Sequence, residues 1–486
     1  MSVLGQLKPA ALWRHFEKLC EIPHPSKHEE KIGKYLADFG RSIGVETIQD
    51  EVGNVILRKP ATAGMADRPW VCLQAHMDMV PQKNADVQHD FLKDPIRPKV
   101  DGKVVRACGT TLGADNGIGV AAIMAVFEAK DIVHGPLEAL ITVDEEAGMT
   151  GAKGLKPGLL RSSIMINVDS ENEDELCVGC AGGMDTSVRA VAPEEALPAG
   201  FAGFAVRVHG LRGGHSGIDI HLGRGNSNIL LARLLWEAAG NMDLRLASFE
   251  GGDLRNVIPR DTRAVVAVPA KDADRFKKHV GDMAATFKAE FSSADPDISV
   301  EVSPLPAPPA KAVRAGDGKR LLAAIFSAPN GVSYMCADMP GLTETSSNLA
   351  AVRIGGGAMS ILSLQRSAQD SRKYELGSQL KAHFELAGLE VSSGNGYSGW
   401  KPNPKSPMVK HLAAVYRRVY GGDPKISATH GGLECGILLG SYPGMDAISI
   451  GANLHFPHSP DEHVEIDSVG RAWDYLLEVL KTIPKA

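Results

Sequence analysis

The sequence predicts an α/β protein: a mostly parallel-sheet catalytic domain, discontinuous along the chain, with a second α/β domain inserted into it. Three observations lead there. Short apolar runs alternate with helical stretches from residue 10 to about 185. The pattern changes character between about 186 and 396, and the first pattern returns after the turn-rich segment "SSGNGYSGWKPNPKSP". A chain of 486 residues also exceeds what one ordinary core supports, so two or more domains are expected.

The elements follow in order. The opening "MSVLGQLKPAALWRHFEKLCEIPHPS" carries charges throughout and reads as an amphipathic helix rather than a signal peptide. "NVILRK" and "WVCLQA" are strands, "NGIGVAAIMAVFEAK" is a helix, and "EALITV" and "SSIMINV" are strands again. Apolar runs separated by helices are the pattern of a largely parallel layer. In the middle region "GFAVRVHGLRGGHSG" and "RAVVAVPA" alternate as strands, and "NSNILLARLLWEAAGNMDL" and "ADRFKKHVGDMAATFKAEF" have helical spacing. After the loop "SPLPAPPAKAV" comes a second set, "LAAVRIGG", "MSILSLQRS" and "SRKYELGSQLKAHFELAG", which reads as a second α/β unit in tandem. The helix "MVKHLAAVYRRVYG", a Gly-rich loop, the strand "MDAISIG" and an amphipathic helix close the chain. The expected division is residues 1–185 and 397–486 for the catalytic domain, and 186–396 for an inserted lid and dimerisation domain.

Composition narrows the function classes. Apolar residues make up 44% and charged residues 23%, an ordinary soluble profile. A net charge of -6 gives no reason to expect nucleic acid or an anionic membrane as partner, and no apolar run is long enough to span a bilayer. Seven scattered cysteines fit a reducing, cytoplasmic setting better than a disulfide framework. Cys177 and Cys180 form a CxxC, but no second pair stands at zinc-ribbon spacing, so they read as two thiols in a strand-turn segment.

The chemistry lies where polar residues follow buried strands. His76 and Asp78 follow "WVCLQA"; Asp144, Glu145 and Glu146 follow "EALITV"; Asp169 and Glu171 follow "SSIMINV"; His455, His458, Asp461 and Glu462 follow "MDAISIG". Ligand sites of open α/β sheets lie outside the carboxyl ends of the strands. Asp115 opens a helix, where negative charge is favoured. Alone, His76 would be an ordinary histidine, Asp115 an N-cap and "DEE" a solvated strand end. Together, carboxylates at one edge repel and raise each other's pKa unless a cation neutralises them. Two His with three or more carboxylates suit divalent zinc, cobalt or manganese, and five candidate ligands suggest two metals sharing a bridge. Of two adjacent glutamates, one can bind metal while the other moves a proton. "GIGVAA" matches a dinucleotide fingerprint but follows no apolar strand, and no G-x-S-x-G elbow is present.

"LQAHMDMVPQK", "GTTLGADNGIG", "DEEAGMTGA", "INVDSE", "GLRGGHSG" and "PHSPDE" resemble the M20 family of metallopeptidases. The fit is closest to its cytosolic aminoacyl-histidine (Xaa-His) dipeptidase, or peptidase D, branch, of which "VPQKN", "IHLGRGNSN" and "HGGLECG" are also typical. The resemblance runs from "IPHPSKHEE" to the C-terminus. It implies two zinc ions, with cobalt and manganese as alternatives, bridged by Asp115. His76 and Asp169 would complete one metal, Glu146 and His458 the other. Glu145 would be the general acid/base that activates a metal-bridging water, and Asp78 would orient His76. The Asp115–Asn116 peptide would be cis. From the lid, His215 would stabilise the oxyanion, commonly across a dimer interface; Asn256 and Arg366 would hold substrate, and the "HGGLECG" loop with Gly432 would line its pocket. The implied activity is hydrolysis of unblocked dipeptides, including Xaa-His such as β-alanyl-histidine. A deacylase of N-acyl amino acids and a non-catalytic metal- or peptide-binding relative are the alternatives. The segment "GANLHFPHSPDE" departs from the branch and supplies a rival ligand, His455; His458 is favoured because it stands three residues before "DE". Asp144 is left as a solvated strand end.

Overall fold

The computed structural model describes residues 2–485. The chain divides into two compact units. The first comprises 1–179, 402–428 and 433–486; the second comprises 180–401 and 429–432. The crossings therefore fall at 179/180 and 401/402 rather than at 185/186 and 396/397, and four residues of the "HGGLECG" region return to the second unit.

The first unit is built on an eight-stranded sheet. Its strands are β1 (Glu46–Gln49), β2 (Val55–Lys59), β3 (Val71–His76), β4 (Leu137–Thr142), β5 (Ile164–Ser170), β6 (Glu175–Cys180), β7 (Lys425–Thr429) and β8 (Asp446–Gly451), in the order β1-β2-β4-β3-β5-β8-β6-β7. The four central strands β4, β3, β5 and β8 run parallel; on one side β2 is antiparallel to β4, and β1 is antiparallel to β2. Every residue of β3 and β4 is buried, which is why these segments read as continuous apolar runs rather than alternating ones. The helix Ala10–Cys20 buries Leu12, Trp13, Phe16 and Leu19 on one face, as its amphipathic spacing requires. "GIGVAA" lies inside the helix Ala114–Glu128, not at a strand-to-helix turn.

The second unit departs from the tandem arrangement. It carries a single nine-stranded sheet in which every recorded strand pair is antiparallel. Its helices Ser227–Asn241, Ala273–Glu290, Ala315–Phe326 and Asp370–Leu386 supply core residues that pack with the strands around Phe204, Phe249, Phe276, Phe287 and Phe384. The two strand-and-helix sets merge because Phe249–Gly251 of the first pairs with Val352–Ile354 of the second, a register no local pattern encodes.

Register at the parallel centre fixes the strand ends. Gly451 of β8 pairs with Ser170 of β5, and a Cβ at 451 would lie 1.6 Å from the Ser170 carbonyl oxygen. No side chain fits between these backbones. Gly451→Ala is expected to lower the urea midpoint, with a loss on the order of 1–3 kcal/mol typical of overpacking; an unchanged midpoint would contradict this close approach.

Candidate metal centre

The carboxyl ends of β3, β4 and β5 and the loops after them bring the expected ligands together in the first unit. Asp115 is central. Its Oδ1 lies 3.2 Å from His76 Nε2 and its Oδ2 lies 3.2 Å from His458 Nε2. His76 Nε2 is also 3.4 Å from Asp169 Oδ1, and His458 Nε2 is 3.0 Å from Glu146 Oε1. The result is two triads, His76–Asp115–Asp169 and Asp115–Glu146–His458, whose ligand atoms lie within 4.8 Å of one another. Glu145 stands close enough to His76 and Glu146 to form a third such group. His455 is not part of it; its Nε2 pairs with Glu465 Oε1 at 2.8 Å.

The electrostatics describe a site that demands positive charge. Although burial opposes it, Asp169 and Asp115 hold His76 well above the usual imidazole range. Hydrogen bonds with Asp115 and Glu146 push His458 up to about 11. Burial raises Asp169 to about 6, assisted by the charges of Asp115 and Glu146. Asp115 is held below its ordinary value because, against burial, two imidazoles bond to it. Burial, with Glu434, Asp169 and Glu146 adding repulsion, keeps Glu145 well above the usual carboxylate range despite His76. Here imidazole protons do what a divalent cation does better. Each triad offers one nitrogen and two oxygen donors, shares one carboxylate and leaves coordination positions open, so the residues fit two catalytic metal ions.

Asp78 holds this arrangement by its backbone contacts. Its Oδ1 accepts the N–H of Glu145 at 2.9 Å; its Oδ2 accepts the N–H of Glu146 at 3.2 Å and the Ser26 hydroxyl at 2.8 Å. The Asp78 backbone carbonyl takes His76 Nδ1 at 3.1 Å, with Oδ1 3.4 Å away. Asp78 therefore orients the imidazole mainly through its main chain, while its carboxylate fixes the two glutamates. The Asp115–Asn116 peptide is cis, and Asn116 donates its side-chain N–H to Asp169.

Asp144 corrects the expectation of a solvated strand end. It is buried at φ 52, its carboxylate takes the Thr150 hydroxyl, and its N–H donates to Glu29 Oε1 at 3.1 Å. Its job is to turn the chain out of β4 so that Glu145 and Glu146 follow.

Sequence reasoning missed the polar row beneath the ligands. Two residues before His76, Gln74 donates to Glu434 Oε2 at 2.8 Å; two residues before Asp169, Asn167 donates to Gln74 Oε1 at 2.5 Å. Ser449 donates to Asn167, and Thr142 donates to Glu434 Oε2 at 2.5 Å. Burial pushes Glu434 up to about 8. The available signal was a lone amide within each apolar strand, "CLQAH" and "MINVD".

The second unit brings its own predicted residues together. His215 Nδ1 accepts the N–H groups of Gly217 and Ile218 at 3.2 and 3.1 Å, so the ring proton resides on Nε2. Burial, then the Arg366 charge, lowers the His215 pKa and keeps the ring neutral. Arg366 is 4% exposed and meets Ser216 Oγ at 3.2 Å, Tyr397 Oη at 3.3 Å and His215 Nε2 at 3.4 Å, with no carboxylate partner among the described residues. A Cβ on Gly432 would lie 3.0 Å from that Tyr397 hydroxyl. Asn256 is exposed, and its backbone carbonyl accepts the N–H of Ser216 at 2.8 Å. His430, the first residue of "HGGLECG", bonds Ser346 Oγ at 2.7 Å, and burial drops it to about 3.

Such a donor set at the strand ends of an α/β sheet defines the class as metal-dependent hydrolase. The chain belongs to peptidase family M20/M25/M40, whose family model matches residues 72–482. It is 45% identical over 484 residues to the cytosol non-specific dipeptidase of Escherichia coli (strain K12), with 100% of both chains covered. The crystal structure of the aminoacylhistidine dipeptidase from Vibrio alginolyticus is similar at a TM-score of 0.94 and 44% identity, covering 99% of this chain and 98% of that one. Aminopeptidase PepT from Bacillus cereus shares the fold at a TM-score of 0.57 and 16% identity, covering 98% of this chain and 99% of its own. Among the described residues no helix is long and apolar enough to cross a membrane.

Every partner of the Asp78 carboxylate oxygens is a donor or an imidazole, so Asp78→Asn turns an amide NH₂ against a donor. We expect metal affinity about 10–100-fold weaker with the far-UV circular dichroism retained; unchanged affinity in a chelator competition would contradict the anchoring role.

Proposed function

We propose that this protein is a two-metal dipeptidase that hydrolyses unblocked dipeptides, Xaa-His dipeptides such as β-alanyl-histidine included. The observation that carries the proposal is Asp115, with one carboxylate oxygen facing each of two imidazoles that each face a further carboxylate. The names of two relatives with over 40% identity, one a non-specific dipeptidase and one an aminoacylhistidine dipeptidase, support the substrate class. The word cytosol in the first supports a cytoplasmic location.

His76, Asp115 and Asp169 would hold one cation, and Asp115, Glu146 and His458 the other; zinc is the leading choice, with cobalt and manganese equally compatible with these donors. When bound, divalent cations supply Lewis acidity toward the peptide carbonyl and acidify water. Glu145 takes the proton of the attacking water and delivers it to the leaving amine nitrogen. Glu145 belongs to neither triad yet stands beside His76 and Glu146, next to where the water would be held, which suits a group that accepts and returns a proton. In the second unit, His215 is assigned the oxyanion-donor role on the strength of its Nε2 proton. Arg366, a buried guanidinium with no carboxylate within ion-pair distance among the described residues, is assigned the substrate's C-terminal carboxylate, with Asn256 and Gly432 as further substrate contacts.

Glu145→Ala is expected to lower kcat by about 10²–10⁴-fold while the cations stay bound. Normal turnover in that variant would sink the mechanism. A panel of free dipeptides and N-acetylated amino acids, run with and without chelator, tests the substrate class. Chelator-sensitive cleavage of free dipeptides alone is expected; preference for the N-acetylated set would favour a deacylase, and no turnover a binding protein.

We also propose a homodimer formed through the second unit. The short 3₁₀ turn Ile220–Leu222 lies beside the strand Gly331–Met335, and Leu222, Val332, Tyr334 and Met335 are all exposed there. Apolar side chains gathered in this way are a common interface signature. Met335→Glu is expected to shift the sedimentation coefficient toward that of a monomer.

A further inference from the structure

Glu462 is the least accessible charged group of the loop that carries His458, and nothing in the proposed chemistry uses it. It is 2% exposed. Its Oε2 accepts the backbone N–H of Leu112 at 2.7 Å and of Gly113 at 3.0 Å; its Oε1 accepts those of Ala114 at 2.8 Å and Asp115 at 3.2 Å. Four consecutive amides thus converge on one carboxylate. They can do so because Gly113 takes φ 71 and the backbone at Asp115 and Asn116 is not yet helical, so successive N–H groups turn to one side and form a concave nest for an anion. A side chain at 113 would be strained by that φ and would meet the Met79 sulfur at 3.0 Å. No Lys, Arg or His pairs with Glu462 among the described residues; burial raises its pKa to about 7, with the backbone N–H groups working against burial and the Asp115 charge adding to it.

The other end of the contact is equally fixed. The N–H of Glu462 donates to the Ser459 carbonyl at 3.0 Å and that of Asp461 to the Ser459 hydroxyl at 3.2 Å, closing a tight turn directly after His458. The turn carrying His458 and the loop carrying Asp115 are 343 residues apart in sequence. Glu462 clamps one to the other.

We infer that Glu462 is a positioning residue that sets the distance between His458 and Asp115 and so preorganises the cation site they share with Glu146. The inference rests on the two-cation reading of the site. The chemistry supports a direct role for charge. A carboxylate offers about four lone-pair directions, all used here, whereas an amide in its place would aim N–H groups at N–H groups.

The test uses the full-length chain stripped of metal and titrated with Zn²⁺ against a chromophoric chelator. Wild type is expected to take up two ions in distinguishable steps, and His458→Ala to lose one of them, which identifies that step. Glu462→Gln is expected to weaken the His458-dependent step at least tenfold, with the other step changed less than about threefold. Glu462→Asp, which keeps the charge on a shorter arm, is expected to fall between wild type and Glu462→Gln and carries the test if the amide variant does not fold. Equal weakening of both steps would mean general loosening, and no weakening would mean no clamp; either result overturns the inference. Uptake of fewer than two ions by wild type would instead overturn the two-cation reading, and the clamp with it.

Discussion

The constraint on which the first unit depends is the crowding of carboxylates where no side-chain cation is admitted. Asp78, Asp115, Glu145, Glu146, Asp169 and Glu462 lie at one end of the sheet. Among the described residues, none of them has a Lys or Arg within ion-pair distance; only His76 and His458 face this group. Elsewhere the protein pairs a buried acid in the ordinary way, as where Arg58 Nε meets Glu138 Oε1 at 2.8 Å. Like charges in a shielded site repel far more strongly than in water. An architecture that keeps lysine and arginine out of such a cluster leaves its charge for something else, and the two-triad geometry around Asp115 fits divalent ions.

The supporting carboxylates answer the same constraint differently. Asp78 satisfies its oxygens with the amides of Glu145 and Glu146 and the Ser26 hydroxyl, and Glu462 satisfies its own with four consecutive amides. Backbone N–H groups stabilise a carboxylate without bringing a net charge that would compete for a cation. They also tie each acid to main chain rather than to a flexible side chain, so the ligands that follow inherit a fixed position. The same economy runs through Gln74, Asn167, Thr142 and Ser449, neutral groups that fill the level below His76 and Asp169 with mutual hydrogen bonds. A buried polar row that is mutually bonded resists rearrangement, because breaking one contact leaves its partner unpaired.

What the sequence discloses about this site follows from periodicity. β3, β4, β5 and β8 were legible as apolar runs because a parallel strand buried on both faces leaves no alternation, and the ligands were legible as the first polar residues beyond them. The family motifs then divided the roles among residues that spacing could only gather. Other features were hidden for physical reasons. Asp144 resembles a solvated acid until the chain turn places Thr150 and Glu29 beside it. Glu434 opens the helix Glu434–Ser441, far along the chain from β3, and only the tertiary fold sets it against Gln74. In the second unit, four of the sheet's strands were visible, but Gly182–Val191 and Arg245–Gly251 were not. Val391–Tyr397, read from its small residues as turn-rich linker, is an edge strand that pairs with Gly182–Val191. Their union into a single antiparallel sheet depends on the pairing of Gly251 with Val352, which joins segments a hundred residues apart.

The placement of charge also explains why the two units present such different chemistry. The first gathers carboxylates and lacks basic side chains at its centre. The cluster in the second centres on Arg366, His215 and His430, with burial lowering the affinity of all three for protons. For His215 and His430 this favours the neutral ring, a hydrogen-bond partner rather than a fixed charge. Arginine is the exception, because its guanidinium holds its proton even when desolvated. Arg366 is thus a permanent buried cation that touches a serine, a tyrosine and an uncharged histidine, while the Asp185 carboxylate it senses is already paired with Arg255. A buried charge of this kind is costly to keep without an anion, and that unmet requirement is the strongest physical argument that an anionic group of the substrate belongs beside it.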